Sequence, residues 1–295
     1  MSETRSLTFE SAGAKCAADL YLPDVEEPPV VVMAHGFGAE RSFRLPAFAE
    51  RFVDRGLAVL LFDYRGFGDS EGDDQLVDPF EHRTDWLAAV DEAADLDAVD
   101  GDLIGLWGTS FSGGHVIETA ARRDVDAVSS QVPFVSGPAT LLHLARTSGL
   151  DYPLAATKHG LKDAARGLLR REPHTVPIVA STEEFGMLNS PGAEEGYYSI
   201  VPGDSDWENA CPARIALKVP LYRPIGRADD VDAPVFLGIA EGDNIVPPSA
   251  AERLGQRLDH VEVFRLDCGH FDPYDGSEFE HISDAQGAFF ERHLL

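Results

Sequence analysis

The sequence predicts an α/β protein: a mostly parallel, doubly wound central sheet, interrupted once by an inserted, mainly helical cap. Three observations carry this expectation. Short unbroken apolar runs at 30–34, 57–62, 103–107 and 234–240 read as strands buried on both faces. Stretches with apolar residues at helical spacing separate them, as parallel crossovers require. From Pro133 to Asp232 the alternation fails, and helical pieces broken by Pro and Gly take its place. A compact sheet cannot absorb such an interlude, whereas a cap over one of its edges can. The expected division is therefore a core of residues 1–132 and 233–295 with a cap at 133–232.

Each element follows from local pattern. Residues 7–9 and 16–22 alternate well enough for two short strands, stopped by Pro23 and the Glu26-Glu-Pro-Pro29 turn. Val30-Val-Val-Met-Ala34 is a central strand ending in His35-Gly36-Phe37-Gly38. A helix over 45–55 turns Phe48, Phe52 and Val53 inward. The strand at 57–62 leads into the glycine-rich loop Asp63-Tyr-Arg65-Gly66-Phe-Gly68-Asp-Ser-Glu-Gly72. No helix opens directly at Gly68 and acids crowd the loop, so a phosphate cradle is rejected in favour of an Asp–Arg pair that stiffens it. Pro79 opens a helix to about residue 96. A strand at 127–132 follows. Helical pieces are expected at 141–146, 161–170 and 207–217. The sheet resumes at Pro234, a helix runs from Pro247-Pro248 to about residue 258, and 261–266 is the last strand. A final helix at 282–295 closes the chain.

Composition sets further bounds. The 295 residues and 44% apolar content suit one large domain with a full core. No stretch is long and apolar enough for a membrane span, and the start Met1-Ser-Glu-Thr-Arg lacks the apolar block of a secretory signal; a cytoplasmic protein is expected. The 24 basic residues face 51 acidic ones, for a net charge of -27. No basic patch is visible along the text, which argues against nucleic acid and anionic membrane as partners. The acids are scattered rather than gathered in a tail, as in a solvated surface suited to concentrated salt, so a halophilic source is expected. Cys16, Cys211 and Cys268 form no disulfide framework and no Cys-x-x-Cys pair. Asp272 and Asp275 beside His270 match no metal-ligand spacing, and no metal or other cofactor is expected.

The chemistry centres on Leu103-Ile-Gly-Leu-Trp-Gly108-Thr-Ser110-Phe-Ser-Gly113-Gly114. A strand that turns sharply into a helix holds the residue at its apex in strain, and only small neighbours let the two pass so closely. Ser110 would stand proud of the sheet as a nucleophile. A plain βα turn with a capping serine is the simpler alternative for this segment alone. Two later loops supply what a serine nucleophile needs. Asp243 follows the strand ending at Ala240, and His270 follows the strand ending at Leu266. Catalytic groups of open α/β sheets gather at that edge. Imidazole titrates in the range needed to take the hydroxyl proton, and a carboxylate fixes its tautomer. Glu241 is a competing acid; His35 is assigned to the turn and His115 to packing. The backbone N–H groups of Phe37 and Phe111 are the expected oxyanion donors. Phe134 and Phe271 are candidate walls of the substrate pocket.

With these pieces in view the chain resembles the α/β-hydrolase superfamily. The likeness rests on His35-Gly-Phe-Gly38, Asp63-Tyr-Arg-Gly-Phe-Gly-Asp-Ser70, Gly108-Thr-Ser-Phe-Ser-Gly-Gly114, Glu241-Gly-Asp-Asn-Ile-Val-Pro247 and Gly269-His-Phe-Asp-Pro-Tyr274, and runs from about residue 30 to the end. Within it the chain looks most like dienelactone-hydrolase and prolyl-oligopeptidase-related esterases. It departs from the former in carrying Ser110 where they carry Cys, from dehalogenases and epoxide hydrolases in lacking Asp there, and from the usual elbow in having Ser112 where Gly is expected. The resemblance implies an α/β-hydrolase fold and a cofactor-free serine hydrolase, with an acyl-serine intermediate and a small-molecule ester or acyl substrate. A homodimer is compatible with it. A peptidase, an acyltransferase or carbon–carbon hydrolase of the same fold, and a non-catalytic binding protein are the alternatives.

Overall fold

The computed structural model describes residues 3–147, 149 and 151–295, so Met1 and Ser2 of the stretch read for a leader lie outside the described residues. Chain order is β1 (Glu3–Ser11), β2 (Ala14–Leu22), β3 (Pro29–Ala34), α1 (Leu45–Val53), β4 (Ala58–Phe62), α2 (Pro79–Asp95), β5 (Asp100–Thr109), α3 (Phe111–Ala120) and β6 (Ala127–Gln131). Then come α4 (Gly137–Thr147), α5 (Asp151–Leu168), β7 (Thr175–Val176), α6 (Ala193–Ile200), β8 (Cys211–Pro212) and α7 (Ile215–Lys218), with two 3-10 turns after α7. The chain returns through β9 (Val235–Ala240), α8 (Pro248–Gly255), β10 (Val261–Leu266) and α9 (Gly276–Leu294).

Eight strands form the main sheet in the order β1-β2-β4-β3-β5-β6-β9-β10. β1 and β2 are antiparallel to their neighbours; every pair from β4 to β10 is parallel. This is the α/β-hydrolase fold. β3, β4 and β9 are buried at every residue, which is why their sequences run apolar without alternation; β6 is equally buried but carries Ser129, Ser130 and Gln131. β1 is the antiparallel edge, exposed along its first half, so it tolerates Glu3, Arg5 and Glu10. Helices cover both faces: α1 packs with α9, and α2 with α3. On the first face Phe48 meets Trp107 and Phe279, each with ring centroids 4.8 Å apart.

The described residues of 133–232 add no strand to the main sheet; β7 and β8 pair with each other. Several expected elements shift. The strand expected at 103–107 extends from Asp100 to Thr109 because its polar ends still pair with β3 and β6. The helix expected at 161–170 begins at Asp151, and runs through Gly160 because Leu217 packs where a Cβ would stand, at 2.9 Å. The helix expected at 207–217 shrinks to Ile215–Lys218: Val176 pairs with Cys211, and Asn209 Nδ2 donates to Val179 O (2.8 Å). The final helix starts at Gly276, its polar first turn having carried no apolar signal. Among the described residues no helix is long and apolar enough to cross a membrane.

Candidate active site

Ser110 sits between β5 and α3 with φ 56° and ψ −117°, a left-handed conformation that a serine rarely holds. Its backbone is fastened on both sides: its N–H donates to Gln131 O (2.9 Å), and its carbonyl accepts from Gly113 N (3.0 Å) and Phe134 N (2.8 Å). These bonds fix the hydroxyl above the carboxyl edge of the sheet. The small neighbours are required by space. A Cβ on Gly108 would lie 2.4 Å from Ser112 O, and one on Gly114 would lie 2.2 Å from Phe134 O. Ser112 stands where the usual pattern has Gly because it has a partner. Its buried Oγ accepts from Tyr64 Oη (2.9 Å), which in turn accepts from Trp86 Nε1 (2.9 Å).

The sheet brings the three expected side chains together. His270 Nε2 lies 2.9 Å from Ser110 Oγ, and His270 Nδ1 lies 2.5 Å from Asp243 Oδ2. The carboxylate can only accept, so Nδ1 carries the proton there and Nε2 faces the serine as an acceptor. Asp243 Oδ1 accepts from Ile245 N (2.8 Å) and Val246 N (2.9 Å), which leaves Oδ2 to the imidazole. The two loops are tied to each other: Gly242 N donates to Cys268 O (2.9 Å) and Glu241 N to Leu266 O (2.8 Å). Glu241 points instead toward Arg265, 3.9 Å away. Asp272 accepts from Gly269 N (2.6 Å) and Asp275 pairs with Arg44. Among the described residues no cluster suited to a metal ion occurs. The Cys268 thiol is pushed up to about 12, chiefly by burial, and so stays neutral.

The turn at Phe37 comes close to the nucleophile. A Cβ on Gly36 would lie 2.9 Å from Ser110 Cβ. His35 braces that turn: Nε2 donates to Phe43 O (3.0 Å), Nδ1 accepts from Gly36 N (2.7 Å), and its ring stacks on Tyr274 at 5.5 Å. Burial pushes its pKa down to about 3, so it stays neutral. His115 likewise bonds Tyr222 Oη (2.5 Å) in the interior and does not reach the serine. Two residues that the sequence did not single out complete the brace. Tyr197 Oη donates to Phe37 O (2.9 Å), and Trp207 Nε1 donates to Gly38 O (2.8 Å). Both lie in the segment 133–232, where only their aromatic character was visible. The loop after β4 is stiffened by two Asp–Arg pairs, each reaching a partner outside it. Asp63 pairs with Arg41, and Arg65 with the buried Asp85 (2.5 Å).

An apolar cavity of ≈ 70 Å³ opens beside Ser110. Phe37, Phe111 and Phe134 line its core side; Leu144 of α4, Tyr152 and Ala156 of α5 and Met187 line the other. Phe271 does not border it. It lines an adjoining crevice with His35, Ser110, Tyr197, His270 and Tyr274.

A doubly wound sheet with a pocket at its carboxyl edge defines an α/β enzyme of the open-sheet type. Comparison narrows the class. The chain belongs to the alpha/beta hydrolase family, whose model matches residues 31–280. It is 38% identical over 287 residues to the quorum-quenching protein AidA of Acinetobacter baumannii, covering 96% of this chain and 93% of that one. It is 42% identical over 120 residues to thiohydrolase aneE of Aspergillus aculeatus, covering 40% and 37%. The structure of DcsB in complex with its substrate analogue superposes with a TM-score of 0.85 at 24% identity, covering 99% of both chains.

Proposed function

We propose that the protein is a serine hydrolase that cleaves carboxylic esters or related acyl compounds through an acyl-serine intermediate. One observation carries the reading: the unbroken hydrogen-bonded series Ser110–His270–Asp243 at the mouth of an apolar cavity. Ser110 Oγ attacks the acyl carbon while His270 Nε2 takes its proton. The N–H groups of Phe37 and Phe111, at the braced turn and the N-terminus of α3, receive the oxyanion; one such donor is worth roughly 100- to 1000-fold in turnover. The intermediate collapses, and the leaving group departs with the proton held by His270. A water, deprotonated by His270, then attacks the acyl-serine and regenerates the free hydroxyl. Asp243 holds the ring and stabilises its cation in both steps. The apolar cavity receives the acyl chain.

The name of one relative supports the hydrolytic part of this reading: aneE is called a thiohydrolase. The second half-reaction is where alternatives divide, since an alcohol or thiol in place of water gives acyl transfer. The test is a fluorophosphonate probe. It labels wild-type protein at Ser110 and leaves Ser110→Ala unlabelled; a folded wild type that resists the probe sinks the reading. Adding a short-chain alcohol to an ester assay then separates transfer from hydrolysis by product.

A further inference from the structure

The outer face of α5 is the reverse of what solvent selects. Leu154, Leu161 and Leu168 share one side of the helix and are 68%, 58% and 87% exposed. Spaced by two turns each, they form a stripe about 21 Å long. Of the ten large apolar side chains exposed among the described residues, seven lie between 133 and 232. The inner face of the same helix is ordinary: Tyr152, Ala156 and Gly160 are buried, and the first two line the cavity beside Ser110.

Charge sets this face apart a second time. Fifteen of the 24 Lys and Arg side chains form ion pairs within the described residues. Of the other nine, six (Arg146, Lys158, Lys162, Arg166, Arg170 and Arg171) lie on α4, on α5 or just after it. Residues 137–172 hold these six against three acids, one of which, Asp163, is buried against Arg214. In a chain of net charge -27, six of the nine cations without an ion pair among the described residues thus fall on or next to the two helices that include the leucine stripe. The six cations are spread over 26 positions of the sequence, and α5 sets Lys158 about one turn from Leu154, Leu161 and Lys162, with both lysines exposed.

We propose that the outer face of α5 docks on an anionic lipid surface, with the leucines inserted and the lysines and arginines at the headgroups. Leucines flanked by basic residues are the pattern of helices that lie in a membrane interface. The acidic remainder of the molecule does not forbid it: at 0.1 M salt charges beyond about 10 Å are screened, whereas the α5 cations would touch the surface. Docking there would set the cavity mouth beside the membrane, where an apolar acyl compound resides. The docking itself does not depend on the hydrolase reading.

The test is co-sedimentation of the full chain with phosphatidylglycerol and with phosphatidylcholine vesicles, in the lowest salt that keeps its native circular dichroism. The expected result is at least tenfold more binding to phosphatidylglycerol, weakening as salt rises. Leu154→Ser/Leu161→Ser/Leu168→Ser and Lys158→Glu/Lys162→Glu should each lose at least fivefold while keeping the wild-type melting temperature. A wild type that ignores both vesicles overturns the proposal. So does binding untouched by either variant, and so does a stripe that instead mediates self-association in the absence of lipid. Sedimentation reads no turnover, so vesicle binding by a protein inert to fluorophosphonate would sink the hydrolase reading and leave this one standing.

Discussion

Asp243→Asn isolates what the acid contributes, because the structure separates its two oxygens by task. Oδ1 accepts from Ile245 N and Val246 N; Oδ2 accepts from His270 Nδ1. Asparagine keeps an acceptor for the two backbone donors, so the loop and the fold should survive. Its amide nitrogen, however, must face His270 Nδ1. Two donors cannot meet there, so the ring is driven to the tautomer with its proton on Nε2, facing Ser110 Oγ. That imidazole cannot accept the serine proton. The expected loss is about 10³- to 10⁴-fold in the rate of serine acylation, the scale known for this change in another serine hydrolase fold. Asp243→Ala should differ: it strands two buried N–H groups, at about 1–3 kcal/mol each, and lowers stability as well. The assay is the second-order rate of fluorophosphonate labelling, followed by urea denaturation of both variants. An asparagine variant labelled within tenfold of wild type refutes the tautomer argument.

Other consequences follow from the same geometry. Gly108→Ala places a methyl 2.4 Å from the Ser112 carbonyl and should destabilise by about 1–3 kcal/mol or more in denaturant titration, with labelling slowed as the elbow shifts. Ala156→Leu extends a side chain from α5 into the cavity, and should cut kcat/KM for octanoyl esters about tenfold while sparing acetyl esters in a chain-length series. Burial pushes His35 down to about 3 and His82 down to about 4, against an ordinary value near 6.5. The unfolded chain therefore binds more protons below pH 6.5. The stability these rings hold is complete above that pH and is lost as pH falls toward their folded values. Between pH 6.5 and 5 each costs about 2 kcal/mol, to be read from urea midpoints across a pH series.

Much of the site was legible because its chemistry is tied to strand ends. The runs at Val30, Ala58 and Val235 are apolar throughout since both of their faces are covered, and each run's end locates a loop. Ser110, Asp243 and His270 follow the ends of β5, β9 and β10, so linear order was enough to propose their meeting. The region 133–232 was less readable. β7 and β8 are two residues each, too short for any periodicity, and their pairing across 176–211 is set by tertiary contact. Gly160 read as a break although it is a close packing point for Leu217. Tyr197 and Trp207 reach the carbonyls of Phe37 and Gly38 across more than 150 positions, a link that no local pattern encodes. Charge was readable only as a total: the count of -27 does not locate the six basic residues between 146 and 171.

The central claim is that Ser110 itself carries the acyl group between the two half-reactions. Acid quenching of a p-nitrophenyl acetate reaction within its first turnover, followed by peptide mass spectrometry, tests it directly. The account predicts a 42-dalton acetyl increment on the peptide containing Ser110, confined to that residue by fragmentation and absent from Ser110→Ala. Steady turnover with no increment on that peptide, or an increment on Ser112 instead, would contradict it.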